Sequence, residues 1–520
     1  MIRKPAVVVL LAVGLACPLA AQTVDTIIVE NRNIFEPPGD APGLLARVGD
    51  ALHVRTRAWV IRRALFFDQG DRYDSAKVVE SERALRGLGV FRNVELDTAH
   101  VDGKFGVRVA TADGWSTRPQ VGFSSAAGDV TWDVGLVEKN LLGTANSILA
   151  DYQKTPDRRL LTLLYQAPGL LFRRANLYAA YEDLSDGGFG FWSYGVPFYE
   201  TSARSSLVAS GDAGRLRVLR FRDGVLVDSV PRRVLQLGLG GGVALRATDQ
   251  DYARLRFFGQ WRRESFGRYG ALAAPDSQTF AAGVGLELGQ SRFRVVEGLD
   301  KYARREDVDI SQRLWIGLWA APRAFGYAPG RAGVGPEIQA KLAGAWPRGF
   351  AWFRLNADGL LAASGLDSGR VETGVTVMSQ ALAGQTLVFH AEGGVASNVA
   401  PGSDFDLWYY MNGPRAFGAH AFTGTRRYWV VAEDRVLAMP SLLGLFGVGL
   451  APFAEWGGAW YDVEHPRAGG DVGLALRLGS IRSTRGEVTE ISLANRFGQG
   501  FAPGGHWAVT IREAVDFAGR

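Results

Sequence analysis

The chain has one cysteine, Cys17, among 520 residues, and only six histidines. A single thiol cannot form an internal disulfide, so stability must come from a large core or from a membrane. No His-Glu-x-x-His metal motif and no Gly-x-Ser-x-Gly nucleophile motif is present. We therefore expect no enzyme activity, no catalytic residue, no metal and no cofactor. The scattered histidines are His53, His100, His390, His420, His465 and His506.

Neither sign of charge dominates the composition. The 58 lysines and arginines exceed the 53 acidic residues by only five, and the basic residues are spread along the whole chain. Nucleic-acid binding therefore has little support.

Long apolar runs are scarce as well, because the mean hydropathy is -0.01 and 21% of the residues are charged. Only residues 436–454 are nearly free of polar side chains over the roughly 20 residues that a helical span needs. The prolines and glycines of this stretch favour a turn between two strands instead. They are Pro440, Gly444, Gly447, Gly449 and Pro452.

Residues 1–21 have the three parts of a secretory signal peptide. Arg3 and Lys4 precede an apolar run over 6–16, and small residues follow at 20 and 21. A single membrane anchor is the alternative, but the run is shorter than the roughly 20 residues of a span. A lipid attachment at Cys17 is disfavoured because Gly14 stands where a leucine is usual.

Residues 22–112 have the pattern of a small α+β domain. Apolar spacing predicts two helices, over 58–67 and from about 74 to 89, and alternation predicts three strands. The turn dipeptide Asp102-Gly103 joins the last two strands as a hairpin. The predicted order is β-α-α-β-β, with strands at 24–30, 91–97 and 105–110.

Residues 113–520 change to a period of two, which is typical of β-strands. Over 472–478, four apolar residues alternate with Gly473, Ala475 and Arg477. A soluble sandwich also alternates, but repeated arginines on one face are costly in a dry core and stable in a water-filled lumen. We expect a mostly β protein with a transmembrane β-barrel, which must close because lipid cannot satisfy a free edge. Dividing the length of this region by about 25 residues for each strand with its connection predicts about 16 antiparallel strands.

Two stretches of the chain resemble a known family. The wording TRAWVIRRALFFDQGDRYDSAKVVESERALRGLGVFRNVEL resembles a polypeptide-transport-associated (POTRA) domain, and an unrelated small α+β domain is the alternative. After the first barrel hairpin, Glu138, Asn140, Leu141 and Gly143 form a Glu-x-Asn-Leu-x-Gly phrase. This phrase resembles the opening strands of the BamA/TamA superfamily of outer-membrane assembly proteins.

The stretch GPRAFGAHAFTGTRRYWVVAEDRVL resembles the sixth extracellular loop of that superfamily. The resemblance implies that Arg415 and Phe417 form a loop tip inside the barrel, with Arg415 pairing with Glu433 or Glu455. Ala416 replaces the family's glycine, and alanine resists some torsions that glycine accepts. A solvated Arg415 is the alternative. The other matching residues are the later Gly424 and Arg435 of the Glu-x-Arg strand.

The resemblance implies a protein that helps other proteins insert into, assemble in or cross the bacterial outer membrane. Its partners would be outer-membrane lipid, unfolded outer-membrane proteins and periplasmic proteins bound by the N-terminal domain. The barrel would close at a weak seam between 119–124 and 506–515, and Phe517 would stand for the family's terminal aromatic. A dedicated secretion pore and a passive surface-antigen barrel or channel are the alternatives.

Overall fold

The computed structural model describes residues 22–34, 53–126, 128–269, 272–273, 277–302, 305–398, 400–407, 412–442, 446–462, 465–480, 488–500, 505–515 and 517. The predicted signal peptide lies outside the described residues. Among those described, no helix combines the length and the apolar character needed to cross a bilayer.

The N-terminal region forms a three-stranded sheet covered by two helices. β1 runs parallel to the middle strand β3, and β2 pairs with β3 in the antiparallel sense. Asp102 and Gly103 both have positive φ, at 53° and 74°, as a type I′ hairpin turn requires. The elements follow the order β-α-α-β-β: β1 Thr26–Arg32, α1 Ala58–Ala64, α2 Ser75–Gly87, β2 Phe91–Val101 and β3 Lys104–Asp113.

The two helices bury one apolar side each against this sheet. Ile61 and Leu65, four residues apart, and Leu85 of α2 are fully buried in one cluster with Val107 and Val109 of β3. The alternation of β3 supplies the facing surface, because residues two apart lie on the same side of a strand. The domain therefore has its own hydrophobic core.

In the described part of the chain, the remaining strands form a closed antiparallel barrel of 20 strands and three small two-stranded sheets. The barrel strands are β4 Thr117–Ala126, β5 Asp129–Glu138, β6 Ser147–Lys154, β7 Arg159–Pro168, β8 Asn176–Leu184, β9 Gly187–Val196, β10 Ser205–Arg222, β11 Val225–Ala247, β12 Asp251–Phe266, β15 Ser277–Gln290, β18 Gln312–Pro322, β19 Ala332–Trp346, β20 Gly349–Ala362, β21 Gly365–Ser379, β22 Gln385–Ser397, β25 Arg426–Leu442, β26 Phe446–Trp460, β27 Gly469–Ser480, β28 Val488–Gly498 and β29 Trp507–Glu513. The small sheets pair β13 Arg268–Tyr269 with β14 Leu272–Ala273, β16 Phe293–Glu297 with β17 Arg305–Asp309, and β23 Phe405–Leu407 with β24 Phe422–Gly424.

The prediction of about 16 strands is wrong. The assumed 25 residues per strand and connection was too long, because several hairpins turn within two residues. Asp223-Gly224, for example, links β10 to β11 with φ values of 53° and 71°. The number of barrel strands is still even, so the start of the first barrel strand and the end of the last lie on the same side, which is the side of the N-terminal domain. We call this side the near end and the opposite side the far end.

The barrel wall is apolar outside and polar inside. In β27, Val472 and Leu474 are exposed, whereas Asp471, Ala475 and Arg477 are buried in the lumen. Exposed aromatic side chains lie at both ends, with Phe497 and Trp507 at the far end and Trp115 and Trp346 at the near end. An outer apolar band between aromatic girdles is the arrangement of membrane barrels.

Residues 436–454 form two strands, as predicted. The end of β25 and the start of β26 cover this stretch, and the residues between Leu442 and Phe446 lie outside those described. Pro440 and Pro452 fall inside the strands and not in the turn. β25 tolerates Pro440 because its pairing with β26 is irregular from Leu437 onward.

Candidate functional site: a lumen ion-pair network

A long connection between β22 and β25 folds from the far end into the lumen, and we call it the lumen loop. It contains β23 and β24 and carries the tip Arg415-Ala416-Phe417. Among the described strands it is the eighth far-end connection, where the resemblance implied the sixth. Two far-end connections follow this loop in the 20-stranded barrel, and two would follow the sixth loop in a 16-stranded barrel. The four strands beyond the expected 16 therefore precede the lumen loop.

Arg415 is buried in the lumen, with 0% of its surface exposed. Its Nε and Nη2 donate to Oε1 of Glu455 at 2.9 and 2.6 Å, and its backbone N–H donates to Oε2 of the same carboxylate at 2.8 Å. Nη2 also donates to Glu433 at 3.1 Å, and the guanidinium lies 3.6 Å from the ring centre of Phe453. The structure thus brings Arg415 together with both carboxylates named from the sequence. A guanidinium fork makes such charge-assisted pairs directional.

Three further arginines complete this cluster, which we call the lumen network. Arg435 and Arg477 donate to Oε1 of Glu433 at 2.6 and 3.0 Å. Arg477 also pairs with Glu490, and Nε of Arg512 donates to Glu490 at 3.3 Å. The antiparallel register explains this row, because Arg477 faces Glu490 across β27 and β28, and Glu490 faces Arg512 across β28 and β29. Alternating signs let the buried charges neutralise one another.

Ala416 fits the tip without the family's glycine. It is absent from the described residues with positive φ, so it needs no torsion that alanine resists. Its N–H donates to Asp471 at 2.8 Å, and its carbonyl accepts from Arg496 at 3.1 Å. Its methyl group belongs to a buried cluster of small residues and one phenylalanine: Ala451, Phe453, Ala475, Ala494 and Ala508.

Phe417 and Gly424 shape the rest of the loop. Phe417 is buried, and its ring centre lies 5.1 Å from that of Phe422. A side chain at Gly424 would overlap the backbone of Trp460 on β26. Only glycine therefore allows β24 to lie this close to the barrel wall.

His420 holds the loop at a second point near the far end. Nε2 lies 2.8 Å from Asp157 in the β6–β7 connection, and Nδ1 lies 2.5 Å from Asp406 in β23. The imidazole stacks on Phe221 at a centroid distance of 3.5 Å. Burial lowers the pKa of His420, but the hydrogen bonds to Asp157 and Asp406 outweigh burial and raise it to about 9. The ring is therefore a cation that fastens the loop to the β6–β7 connection and to the loop's own strand β23.

A second segment enters the lumen from the near end. The β16–β17 hairpin, between β15 and β18, places Leu299 and Val308 in a buried cluster with lumen residues of the barrel wall. Nε1 of Trp352 donates to the Asp309 carbonyl at 2.9 Å. Asp300, between its two strands, forms an ion pair with Arg435. We call this segment the near-end hairpin.

The residues after β29 also turn into the lumen. Phe517 is buried with its ring centre 5.1 Å from His390 and 6.1 Å from Trp429. Nη2 of Arg435 donates to the Val515 carbonyl at 3.1 Å. Arg435 therefore contacts the C-terminal tail and the near-end hairpin, and through Glu433 it is joined to Arg415 of the lumen loop.

The Glu-x-Asn-Leu-x-Gly phrase lies in the near-end β5–β6 turn, where the barrel meets the N-terminal domain. Nδ2 of Asn140 donates to Oγ1 of Thr56 at 2.9 Å, while its Oδ1 accepts the Ala145 N–H at 2.9 Å. Glu138 accepts the N–H of Asn140 at 2.6 Å. Gly143 has a φ of 73°, and its carbonyl accepts an N–H from the start of α1 at 2.9 Å. The phrase thus joins the two domains and lies apart from the lumen network.

Sequence reasoning missed several charged residues in the lumen network and in contact with it. It did not single out Asp300, Asp471, Arg477, Glu490 or Arg512 as site residues. A signal was present for two of them, because Arg477 and Arg512 fall on the inward face of strands with alternating apolar residues. Charged residues at lumen positions of a barrel are at ease only when they face water or a partner. Asp300 has no comparable signal, since it lies on a connection.

Comparison with known proteins finds a sequence relative and similar solved structures. No family model matches the chain. The outer membrane protein assembly factor BamA of Neorickettsia risticii (strain Illinois) is 30% identical over 105 residues, which cover 20% of this chain and 14% of that relative. Among solved structures, BamA from Haemophilus ducreyi lacking POTRA domains 1-3 aligns with 93% of this chain and 84% of its own, at 11% identity and a TM-score of 0.41. CdiB from Escherichia coli aligns with 94% of this chain and 76% of its own, at 11% identity and a TM-score of 0.49.

The matched stretch of BamA agrees with the resemblance found in the sequence. The closed antiparallel barrel, with its apolar outer wall, agrees with it as well. The BamA-like resemblance recognised in the sequence is confirmed over the matched stretch, and the described residues form a closed antiparallel β-barrel.

Proposed function

We propose that this protein helps other outer-membrane proteins insert and assemble, by opening its barrel at the seam between β29 and β4. Residues 22–112 would act as a POTRA-like domain in the periplasm, and the barrel would span the outer membrane. The protein would have no enzyme activity of its own. The role is carried by strand edges and by lipid contact, not by reactive side chains.

The seam is the observation that carries this proposal. β4 and β29 are neighbours in the closed barrel, and β29 has only seven residues. By comparison, β10 has 18 residues and pairs with β11 along its length. A short ladder has few hydrogen bonds to break, and an opened seam offers two strand edges to an incoming chain.

The content of the lumen favours a lateral route over a steady pore. The lumen loop enters from the far end and the near-end hairpin from the opposite side, and both are joined to Arg435. A chain that crossed the lumen would have to break these buried ion pairs. Removing one partner of such a pair destabilises a protein by about 3–5 kcal/mol.

In this proposal the lumen network keeps the loop in place while the seam opens. Arg415 is the anchor, and Glu433 and Glu455 are its partners inside the barrel. The network includes Arg512 on β29 itself, so the seam strand is fixed from the lumen side. The opposite edge, β4, is the one that would move.

The N-terminal domain would receive clients at the edges of its sheet. In the described residues β1 and β2 are the outer strands of the order β1-β3-β2. An unfolded chain can add a strand to such an edge. The domain also contacts the near-end hairpin, because Nε of Arg86 on α2 donates to Asp307 at 3.1 Å.

The test is a disulfide lock across the seam in proteoliposomes. Cys17 is the only native cysteine, so introduced pairs in a Cys17→Ser chain react alone. One cysteine replaces Val509 on β29, and its partner is scanned along β4. The matched control joins Leu493 and Val509, which face each other across β28 and β29. The readout is the folding rate of a small unfolded barrel protein added to the vesicles.

We expect the protein to accelerate folding of the added barrel, the seam lock to abolish this effect until reductant is added, and the control lock to have no effect. Equal acceleration with and without the seam lock would overturn the lateral mechanism. A folding rate equal to that in empty vesicles, together with steady conductance in planar bilayers, would instead support a passive channel.

A further inference from the structure

Four large apolar side chains are exposed at the near end, on the side of the barrel formed by β5–β8. Trp59 of α1 is 45% exposed, Leu142 of the β5–β6 turn 63%, and Leu171 and Phe172 of the β7–β8 turn 82% and 64%. We call them the rim patch. Contiguous apolar surface of this kind marks a place where a protein meets a partner or a membrane.

Arginines of the N-terminal domain hold the patch together. Arg57 donates from its Nε to the Leu142 carbonyl at 3.1 Å. Arg63 lies 4.6 Å from the centre of the Trp59 ring and donates to the Gly169 carbonyl at 2.8 Å. Arg57 and Arg63 thus fasten both ends of α1 to the two turns that carry the leucines. The two turns that carry Leu142, Leu171 and Phe172 are therefore both held against α1, which carries Trp59.

Both exposed leucines lie at strained backbone positions. Leu142 and Leu171 have φ values of 54° and 62°, a region that bulky residues rarely adopt. Such strain persists only where the surroundings enforce it, and it is concentrated at functional positions. Exposure of these two apolar side chains to water is energetically unfavourable. An apolar environment outside the protein would remove this cost.

The patch continues the lipid-facing wall of the barrel. Leu136 on β5 and Leu163 on β7 are exposed on the outer face of the strands that lead into these turns. The turns lie beyond the near ends of the strands, at the level where an apolar membrane core gives way to headgroups. Aromatic and apolar residues with neighbouring arginines are typical of this boundary.

The charge around the patch fits phosphate groups. Arg173 and Arg174 follow Phe172 directly, and each donates to the Leu65 carbonyl, at 2.9 and 2.7 Å. Among the described residues, Asp68 pairs with Arg173, and Glu200 lies close enough to Arg174 to interact with its charge. The guanidiniums beside the patch therefore outnumber the acidic groups in contact with them. Phospholipid headgroups have the complementary charge.

We propose that the rim patch inserts into the headgroup layer of the near-side membrane leaflet and fixes the N-terminal domain against the membrane. The proposal rests on the membrane placement in the proposed function, but not on any action toward client proteins. The occupant is phospholipid. Leu171 and Phe172 reach the boundary of the acyl chains, and the flanking arginines meet the phosphates.

Depth measurement with a fluorescent label tests this placement. In a Cys17→Ser chain, Leu171→Cys carries an environment-sensitive nitrobenzoxadiazole group, and the protein is reconstituted in phosphatidylethanolamine and phosphatidylglycerol vesicles. Leu163→Cys serves as the control for the barrel wall, and Asp102→Cys, at the distant β2–β3 hairpin turn, as the control for water. Quenchers are attached either to the headgroup or to the acyl chain of added lipid.

We expect the label at Leu171 to emit at shorter wavelength than the label at Asp102 and to be quenched most strongly by the headgroup quencher. The label at Leu163 should respond most strongly to the acyl-chain quencher. If Leu163 responds to lipid while Leu171 behaves like Asp102, the rim patch is exposed to water and the inference is wrong. If Leu163 itself behaves like Asp102, the membrane placement of the barrel has failed.

Discussion

Replacing Arg415 with alanine tests the lumen network at its centre. Of the contacts between described residues, Glu455 would keep the backbone N–H of residue 415 and the guanidinium of Arg512, whose Nη2 lies 3.6 Å away. Glu433 would still be held by Arg435 and Arg477. The loss therefore falls mainly on one buried carboxylate, which is left with little compensation.

The expected loss is about 3–5 kcal/mol, as for other buried pairs from which one partner is removed. Because every 1.4 kcal/mol is tenfold in an equilibrium, the population of undocked lumen loop should increase by roughly two to three and a half orders of magnitude. When opening is fast relative to cleavage, protease cutting follows this population. Chymotrypsin cleavage at Phe417 and Phe422 in detergent is thus the assay, with heat resistance of the barrel on a gel measured in parallel.

The matched control is Arg426→Ala. Arg426 belongs to the same loop region, but its pair with Asp462 is about half exposed on both sides, so its removal should change little. Combining Arg415→Ala with Glu455→Gln should recover part of the loss, because the second change removes the uncompensated charge. If Arg415→Ala itself does not fold, Arg415→Lys keeps the charge without the fork and should cleave at an intermediate rate. A folded Arg415→Ala barrel that is cut no faster than the Arg426→Ala control would refute the reasoning.

Two further predictions concern the other fixed points. The pKa of His420 is raised to about 9 by its bonds to Asp157 and Asp406, which outweigh burial, and Asp129 adds to the acidic surroundings. The stabilisation of the docked loop by protonated His420 is complete below the unfolded pKa of about 6.5 and is lost as the pH rises through about 9. Loop cleavage should therefore increase across this pH range, and the His420→Gln variant should show no such increase. An increase of the same size in His420→Gln would contradict this prediction. Asn140→Ala should speed amide exchange at residues 55–57 by roughly tenfold or more, because buried hydrogen bonds to the N-terminal domain are lost. Asn146→Ala, which loses a bond to Tyr165 within the barrel, should leave that exchange unchanged, and equal effects of the two variants would contradict the assignment.

Local patterns in the sequence were sufficient to predict the element types. The period of two placed Val472 and Leu474 outside and Arg477 inside, since successive side chains of a strand point to opposite faces. Asp102-Gly103 predicted its hairpin turn because few other residues accept two consecutive positive φ values. The predicted number of strands was wrong, because the period of two carries no information about the length of the connections.

The Arg415 pairing was predicted only through resemblance to a family, and the structure places Glu433 and Glu455 around it. Whether Ala416 fits the tip could not be predicted from sequence, because its methyl group packs with alanines from four different barrel strands. The near-end hairpin was missed altogether. It lies on a connection, and its contact with Arg435 joins residues 135 positions apart.

The sequence by itself therefore determined what depends on neighbours along the chain: two domains with different periods, an apolar outer face, charged inner positions and the turns between strands. Only the tertiary structure decided how many strands close the barrel, which charges pair inside it and how the N-terminal domain sits against its rim. The physical reason is that a strand's two faces follow from its own residues. The pairing of buried charges depends on the register of strands and on inserted loops, which is set by the closed barrel as a whole.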